Sequence, residues 1–187
     1  MRIKQTHGDL CVQASVSLHE ADAHWSAQLK QALCISTADC VPILIADTKT
    51  KNILSIHAGW RGIANRIIPK SIDQLKKHNS DPKNLYIMIG PHIQFSSFEV
   101  EKPVFDEIIG SVKIDKDYIP EISKAHGQNK FNINLDAIIQ IQLSEYDIQP
   151  DQINSLSIDT KTNLQFNSFR RDKEKSGRQT SFVACHF

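Results

Sequence analysis

The sequence predicts one domain of the α/β or α+β class, because short apolar runs typical of buried strands alternate with longer helical patterns. Three such runs, rich in Ile, Val and Leu and separated by polar residues, lie at 32–35, 41–46 and 53–56. At 187 residues the chain is long enough to bury a substantial core, and we interpret residues 1–187 as a single domain. This pattern does not reveal the order of the strands.

Three helices are predicted from periodicity and from their first residues. Apolar residues over 63–75 recur with a helical period, and Pro69 inside this stretch predicts that the helix is kinked or restarts there. A short helix is expected at 104–109, since Pro103 suits a first helical turn. A third helix is expected at 134–143, where the first residue is an asparagine suited to the N-cap.

Three later strands complete the predicted elements. Residues 85–89 form an apolar run that is closed by a Gly-Pro pair, which favours a buried strand ending in a turn. Shorter apolar runs at 156–158 and 181–184 also predict strands.

Composition excludes several classes of function. The 22 basic and 21 acidic residues nearly balance, so no global field favours nucleic acid or an anionic membrane as a partner. No segment approaches the ~20 apolar residues of a membrane span, and the first ten residues lack the apolar core of a secretory signal. The four cysteines form no CxxC pair, and we expect reduced thiols in a cytoplasmic protein.

Three separate stretches place a reactive side chain beside small or polar residues: His7, Cys40 and His57. They lie 33 and 17 residues apart, which excludes a zinc finger with its closely paired ligands. If the fold brings them together, two histidines and one cysteine match a catalytic zinc site with an open fourth position. The same groups without a metal match a Cys-His nucleophile pair. The spacing alone does not decide between these hypotheses and three unrelated residues.

The remaining histidines are interpreted as ordinary surface or hydrogen-bonded residues, namely His19, His24, His78, His92, His126 and His186. Lone cysteines beside strands are commonly small buried hydrophobic residues, and we interpret Cys11, Cys34 and Cys185 in this way.

Two stretches, TADCVPILIAD at 37–47 and HAGWRG at 57–62, resemble the signatures of the YfiH-type family. This family was first described as multicopper polyphenol oxidoreductases (laccases) and later as zinc-dependent purine nucleoside enzymes. The resemblance extends from residue 5 nearly to the C-terminus. Further matching stretches are QTHGD (5–9), ADA (21–23), IGPHI (89–93), FEV (98–100) and NSFRRDKEKSGRQ (167–179).

The resemblance implies a four-layer αββα sandwich, distantly similar to a cysteine-hydrolase fold. It also implies that His7, Cys40 and His57 are metal ligands for zinc, with copper as an alternative. The implied activity is phosphorolysis of purine nucleosides, namely adenosine, inosine, guanosine and methylthioadenosine, together with deamination of adenosine. The implied partners are therefore purine nucleosides and phosphate, while the oligomeric state is not predicted.

Several charged residues suit these reactions. Arg61 is the first choice for a planar, bidentate contact with phosphate. Arg170 and Arg171 are weaker alternatives, because paired arginines near a C-terminus are often solvated. Asp39 and Asp22 are the options for a general acid, although either could instead orient a loop.

The chain departs from the family pattern in two respects. Most members have a further segment before the stretch matching QTHGD, including a glycine-rich loop, so this chain is expected to be an N-terminally short member of uncertain catalytic competence. A cysteine-threonine pair that usually precedes the Arg-Arg segment is replaced by Asp159-Thr160. Since that cysteine is not among the three implied ligands, metal binding is expected to survive.

Three other functions remain open at this point. Sulfur and imidazole ligands suit copper and hence a laccase-like polyphenol oxidase, but the chain has none of the paired HxH patterns of conventional multicopper oxidases. A metal-free hydrolase or deamidase would use Cys40 as nucleophile and His57 as base. An inactive metal-binding remnant is the non-enzymatic alternative.

Overall fold

The computed structural model describes residues 1–185, which form three sheets with helices between their strands. The strands are β1 (Cys11–Gln13), β2 (Ala23–Ser26), β3 (Gln31–Thr37), β4 (Val41–Asp47), β5 (Ile53–Ala58), β6 (Leu85–Ile89), β7 (Glu99–Glu101), β8 (Ser123–His126), β9 (Lys130–Ile133), β10 (Ile153–Ser155) and β11 (Gln179–Cys185). The α-helices are α1 (Trp60–Ala64), α2 (Ile67–Lys77), α3 (Lys102–Gly110), α4 (Ile119–Ile122), α5 (Leu135–Ser144) and α6 (Phe169–Asp172). The predicted mixed α/β class is confirmed.

The largest sheet has six strands in the order β1-β2-β5-β4-β6-β10. Its central strands β4 and β5 are antiparallel, and their apolar side chains form one core cluster with those of α2 and α5. The antiparallel pair β3 and β11 packs against the other face, where Leu33, Ile53 and Cys185 form a smaller core. The helical layer, the large sheet and the small sheet are therefore stacked in this order. The site lies at one end of the central strands.

The apolar periodicity located most elements correctly. The predicted strands at 32–35, 41–46, 53–56, 85–89 and 181–184 all lie within observed strands. The helix at 104–109 lies within α3, whose second residue is Pro103. Asn134 caps α5 as predicted, with its side-chain oxygen accepting a hydrogen bond from the Ala137 N–H at 3.2 Å.

Two predicted boundaries need correction. The strand expected at 156–158 is wrong, because the strand is Ile153–Ser155, which pairs in parallel with the last residues of β6. Beyond Ile89 the Gly-Pro pair ends β6, so the following residues have no strand to extend along. The interruption expected at Pro69 occurs instead at Arg66, where φ is 63°, and Pro69 lies in the first turn of α2.

The pattern also missed β1, β2 and the small three-stranded sheet formed by β7, β9 and β8. The four residues of β2 alternate apolar and polar side chains, which is the shortest run that indicates a strand, yet all four are buried, including His24 and Ser26. None of the helices between residues 1 and 185 has the length and hydrophobicity of a membrane span.

Candidate metal centre

The structure brings His7, Cys40 and His57 together at one end of the central strands. Cys40 immediately precedes β4 and His57 lies near the end of β5, and the antiparallel register pairs Pro42 with His57, so the two side chains are neighbours. His7 approaches from the N-terminal segment, with its ring centroid 4.8 Å from that of His57. One ligand atom from each residue lies within 4.8 Å of those from the other two.

The donor set fits a metal ion. Two imidazoles and one thiolate are ligands that zinc and copper both accept, and three protein ligands leave a fourth position for substrate or water. Within residues 1–185 this is the single cluster of His, Cys, Asp or Glu with such a geometry. Donor chemistry alone does not distinguish zinc from copper.

A buried carboxylate supports one of the histidines. Asp22 is completely buried, and one of its oxygens lies 2.7 Å from Nδ1 of His57, which leaves Nε2 of that ring for the site. Burial opposes ionisation of Asp22, but hydrogen bonds from His57, Gly8 and Thr6 hold its pKa below the usual range. Asp22 is therefore poorly suited to donate a proton, and the option of Asp22 as general acid has no support in the geometry.

The ionisable ligands strongly influence each other. Burial disfavours the Cys40 thiolate, but hydrogen bonds from His57 and His7 outweigh it and lower the pKa of the thiol from 9.0 to about 7. Burial also disfavours charged His57, but hydrogen bonds to Asp22 and Cys40 raise its pKa from 6.5 to about 9. In the metal-free site the thiolate of Cys40 and the imidazolium of His57 therefore stabilise each other.

Two glycines of the stretch HAGWRG permit this close approach. A Cβ added at Gly59 would lie 3.2 Å from Cδ2 of His7 and 3.4 Å from Sγ of Cys40. At Gly62 it would lie 2.8 Å from the carbonyl oxygen of Gly8, which follows His7. The turn after β5 and the start of α1 are thus packed directly against the segment that carries the first ligand.

A cavity of about 390 Å³ is lined by two of the three residues, His7 and Cys40. Its walls combine apolar and aromatic side chains with cationic groups, as is typical of small-molecule sites. The guanidinium carbon of Arg61 lies 4.5 Å from the centroid of the Trp60 ring. Besides His7, Asp39 and Cys40, the lining residues are Ala38, Ala58, Trp60, Arg61, Ile93, Phe98, Leu135, Phe169, Arg170, Lys173 and Arg178.

Asp39 organises the backbone next to Cys40. It adopts a left-handed conformation with φ of 82°, and its carboxylate accepts hydrogen bonds from the Thr160 hydroxyl at 2.7 Å and the Arg170 N–H at 2.5 Å. Both oxygens of Asp39 are therefore occupied in holding the C-terminal segment against the site. Of the two roles that the sequence allowed for Asp39, general acid or orienting residue, this geometry favours the orienting role.

The two C-terminal arginines have different surroundings. Arg170 lines the cavity and donates to the carbonyl oxygen of Glu99 at 2.9 Å. The Arg171 guanidinium instead binds the carbonyl oxygens of Thr160, Lys161 and Phe166 and the carboxylate of Asp172, so it stabilises a loop. Lys173 and Arg178 also line the cavity. Neither was predicted from the sequence, although the stretch NSFRRDKEKSGRQ contains both.

The Asp159-Thr160 pair has a structural task. Asp159 accepts hydrogen bonds from the Ser97 hydroxyl at 2.5 Å and from the Gln94 N–H at 3.3 Å, while Thr160 donates to Asp39. The pair therefore connects the loop after β6 with Asp39, the residue that precedes Cys40.

His24 differs from the expectation for an isolated histidine. It is completely buried between the sheets, and neither ring nitrogen has a hydrogen-bond partner among residues 1–185. Burial, reinforced by the N-terminal amine, lowers its pKa from 6.5 to about 4. His186, for which the same expectation was stated, lies outside the described residues.

Comparison with known proteins agrees with this architecture. The family model described as multi-copper polyphenol oxidoreductase laccase matches residues 1–186. A protein of Rickettsia conorii named purine nucleoside phosphorylase is 31% identical over 173 residues, which cover 90% of this chain and 69% of the relative. A protein of the same name from Clostridium acetobutylicum is 30% identical over 187 residues, which cover 97% of this chain and 75% of the relative.

Solved structures show the same fold. The Bacillus licheniformis protein YfiH superposes with a TM-score of 0.89 at 25% identity, covering 96% of this chain and 72% of that protein. A Neisseria meningitidis protein superposes with a TM-score of 0.87 at 26% identity, covering 100% of this chain and 74% of that one. With the family model matching residues 1–186, the chain belongs to the multi-copper polyphenol oxidoreductase laccase family, the YfiH family recognised from its motifs.

Proposed function

We propose that this protein is a zinc-dependent purine nucleoside phosphorylase that acts on adenosine, inosine, guanosine and methylthioadenosine and also deaminates adenosine. The observation that carries the proposal is the convergence of His7, Cys40 and His57 beside a cavity lined by aromatic and cationic side chains. The names of relatives about 30% identical to this chain support the phosphorylase part of the proposal.

The cavity suits a nucleoside in size and in the character of its walls. Its volume of about 390 Å³ lies in the range of small-molecule sites. Trp60 and Phe169 contribute aromatic side chains to its walls, and Ile93, Phe98 and Leu135 supply apolar surface. A purine ring has two apolar faces that pack well against such groups.

Arg61 is suited to hold phosphate. Its side chain has no carboxylate partner among residues 1–185, so its five N–H donors remain available for an anion. In phosphorolysis a phosphate oxygen forms a bond to C1′ of the sugar while the glycosidic C–N bond breaks, and the purine leaves with the bonding electrons and takes up a proton. Arg61 would orient the phosphate for this attack and balance its charge.

The three converging residues would hold the metal. Bound zinc supplies Lewis-acid chemistry, which can polarise a substrate group in phosphorolysis or a water in deamination. Asp22 orients the His57 ring through Nδ1, and Asp39 fixes the backbone beside Cys40. Ile93, Phe98 and the other apolar walls limit the access of water to the sugar.

The test measures base release by the zinc-loaded protein. Inosine should yield hypoxanthine and a sugar 1-phosphate with phosphate present, and no base without it, as measured by liquid chromatography. Arg61→Ala should raise the KM for phosphate by about 10-fold or more, the effect of losing a charge-assisted contact. Arg2→Ala removes an exposed arginine outside the cavity and serves as the control. Zinc-loaded protein that releases no base with phosphate would refute the proposed reaction.

A second candidate is copper-dependent oxidation of phenols. The imidazole and thiolate donors suit copper as well as zinc, and the family model carries a laccase description. The same preparation loaded with either metal separates the two candidates. Rapid phenol oxidation by the copper-loaded protein, without base release by the zinc-loaded protein, would favour the oxidase.

A further inference from the structure

The segment that carries His7 has no helix or strand of its own before β1. Backbone hydrogen bonds of Lys4 and Leu10 hold its two ends, and between them side chains attach it to the rest of the molecule. The Gln5 amide donates to the Ser36 carbonyl oxygen at 2.7 Å and accepts from the Ser36 N–H at 2.8 Å, which extends the edge of β3. The position of the first ligand therefore depends on specific side-chain contacts and not on a regular element.

Asp22 makes most of these contacts at the site. One carboxylate oxygen accepts from the Thr6 N–H at 3.1 Å, the Thr6 hydroxyl at 3.0 Å and the Gly8 N–H at 2.7 Å. The other accepts from the His7 N–H at 3.0 Å and from Nδ1 of His57 at 2.7 Å. A single buried carboxylate thus joins the loop that presents one ligand to the ring of another.

These contacts hold an unfavourable backbone conformation. His7 has φ of 60°, in the left-handed region that residues other than glycine seldom adopt. The N–H groups of Thr6, His7 and Gly8 converge on Asp22, and the negative charge strengthens each of the hydrogen bonds. Asp22 is itself placed by the sheet, since it directly precedes β2 and its carbonyl oxygen accepts the His57 N–H at 2.7 Å.

We propose that Asp22 is the positioning residue of the metal centre, a role that no other residue within 1–185 supplies for both histidines. It sets the approach of His7 to His57, and by accepting Nδ1–H it selects the tautomer of His57 whose Nε2 is free to bind the metal. This inference rests on the metal site of the proposed function.

An asparagine at this position cannot reproduce the pattern. Each oxygen of Asp22 accepts from at least two donors, so an amide nitrogen on either side would face N–H groups. If it faced His57, it would favour the tautomer in which Nε2 carries the proton and is unavailable to a metal. Asp22→Asn has nearly the volume of the natural residue, so its effects arise from charge and hydrogen bonding.

The experiment compares Asp22→Asn with Asp47→Asn. Asp47 is also a buried carboxylate that binds backbone N–H groups, those of Lys49 and Thr50, but it lies at the opposite end of β4 from Cys40. Zinc affinity is measured by competition with a chromophoric chelator, and amide exchange is followed by mass spectrometry. Asp22→Asn should weaken zinc binding by about 10- to 100-fold and accelerate exchange at residues 5–8, whereas Asp47→Asn should change neither.

The outcomes separate this inference from the proposed function. Unchanged zinc affinity in Asp22→Asn, or an equal loss in Asp47→Asn, would overturn the positioning role and leave the metal centre intact. Failure of the unaltered protein to bind zinc would overturn the zinc centre of the proposed function and this inference with it. A lower melting temperature in both variants with weaker zinc binding only in Asp22→Asn is the expected result.

Discussion

The contact between Gly62 and the loop that carries His7 determines how closely that ligand approaches the sheet. A Cβ added at Gly62 would lie 2.8 Å from the carbonyl oxygen of Gly8. Carbon and oxygen atoms in ordinary contact are ~3.3 Å apart or more, so Gly62→Ala requires a movement of ~0.5 Å in the backbone next to His7. A metal site tolerates displacements of about this size at most.

Two opposing terms decide the effect on stability. Gly62 lies inside α1, where replacing glycine by alanine ordinarily stabilises a helix by ~0.5–1 kcal/mol. The contacting atom belongs to the backbone and cannot rotate away, so overpacking costs ~1–3 kcal/mol. We therefore expect Gly62→Ala to lower the free energy of unfolding by up to ~2 kcal/mol and to weaken zinc binding by about tenfold.

The assay pairs denaturant unfolding of the metal-free protein with zinc competition. Gly110→Ala is the matched control, because Gly110 is the last residue of α3 and an added Cβ meets no atom within 4 Å. This control should gain up to ~1 kcal/mol and bind zinc like the unaltered protein. If Gly62→Ala were as stable as the unaltered protein and bound zinc equally well, close packing against Gly8 would not position His7.

Two further predictions concern Cys40 and His24. The rate of alkylation of metal-free Cys40 should increase with pH, with a midpoint near pH 7 instead of 9, and zinc should suppress the reaction. Equal labelling with and without a chelator would favour Cys40 as the nucleophile of a metal-free enzyme. For His24 the folded pKa of about 4 lies below the unfolded value of 6.5, so the unfolded chain takes up the proton first and stability falls as pH decreases through this window. His24→Leu should remove this loss of up to about 3 kcal/mol in the free energy of unfolding. Urea unfolding midpoints at pH 7.5 and pH 5 measure the loss in both proteins. If His24→Leu were as sensitive to acid as the unaltered protein, His24 would not be the cause.

Local patterns in the sequence were sufficient for much of the fold. The strand at 85–89 was predicted with its observed bounds, and the cap at Asn134 and the proline at the start of α3 were also predicted. These features depend on neighbouring residues, through the alternation of apolar side chains and the hydrogen bonds of a first helical turn. Strand β2 was missed because its alternating pattern is only four residues long, and the burial of its polar residues depends on contacts that are distant in the sequence.

The same distinction between local and distant contacts applies to the candidate site. The sequence by itself identified His7, Cys40, His57 and Arg61 as candidate site residues, through their residue types and the family motifs around them. Only the tertiary structure decided that the first three converge and that Asp22 connects two of them. The distances between the ligand atoms and the hydrogen-bond partners of a carboxylate depend on strand register and on contacts between distant segments. Neighbouring residues in the sequence do not determine either property.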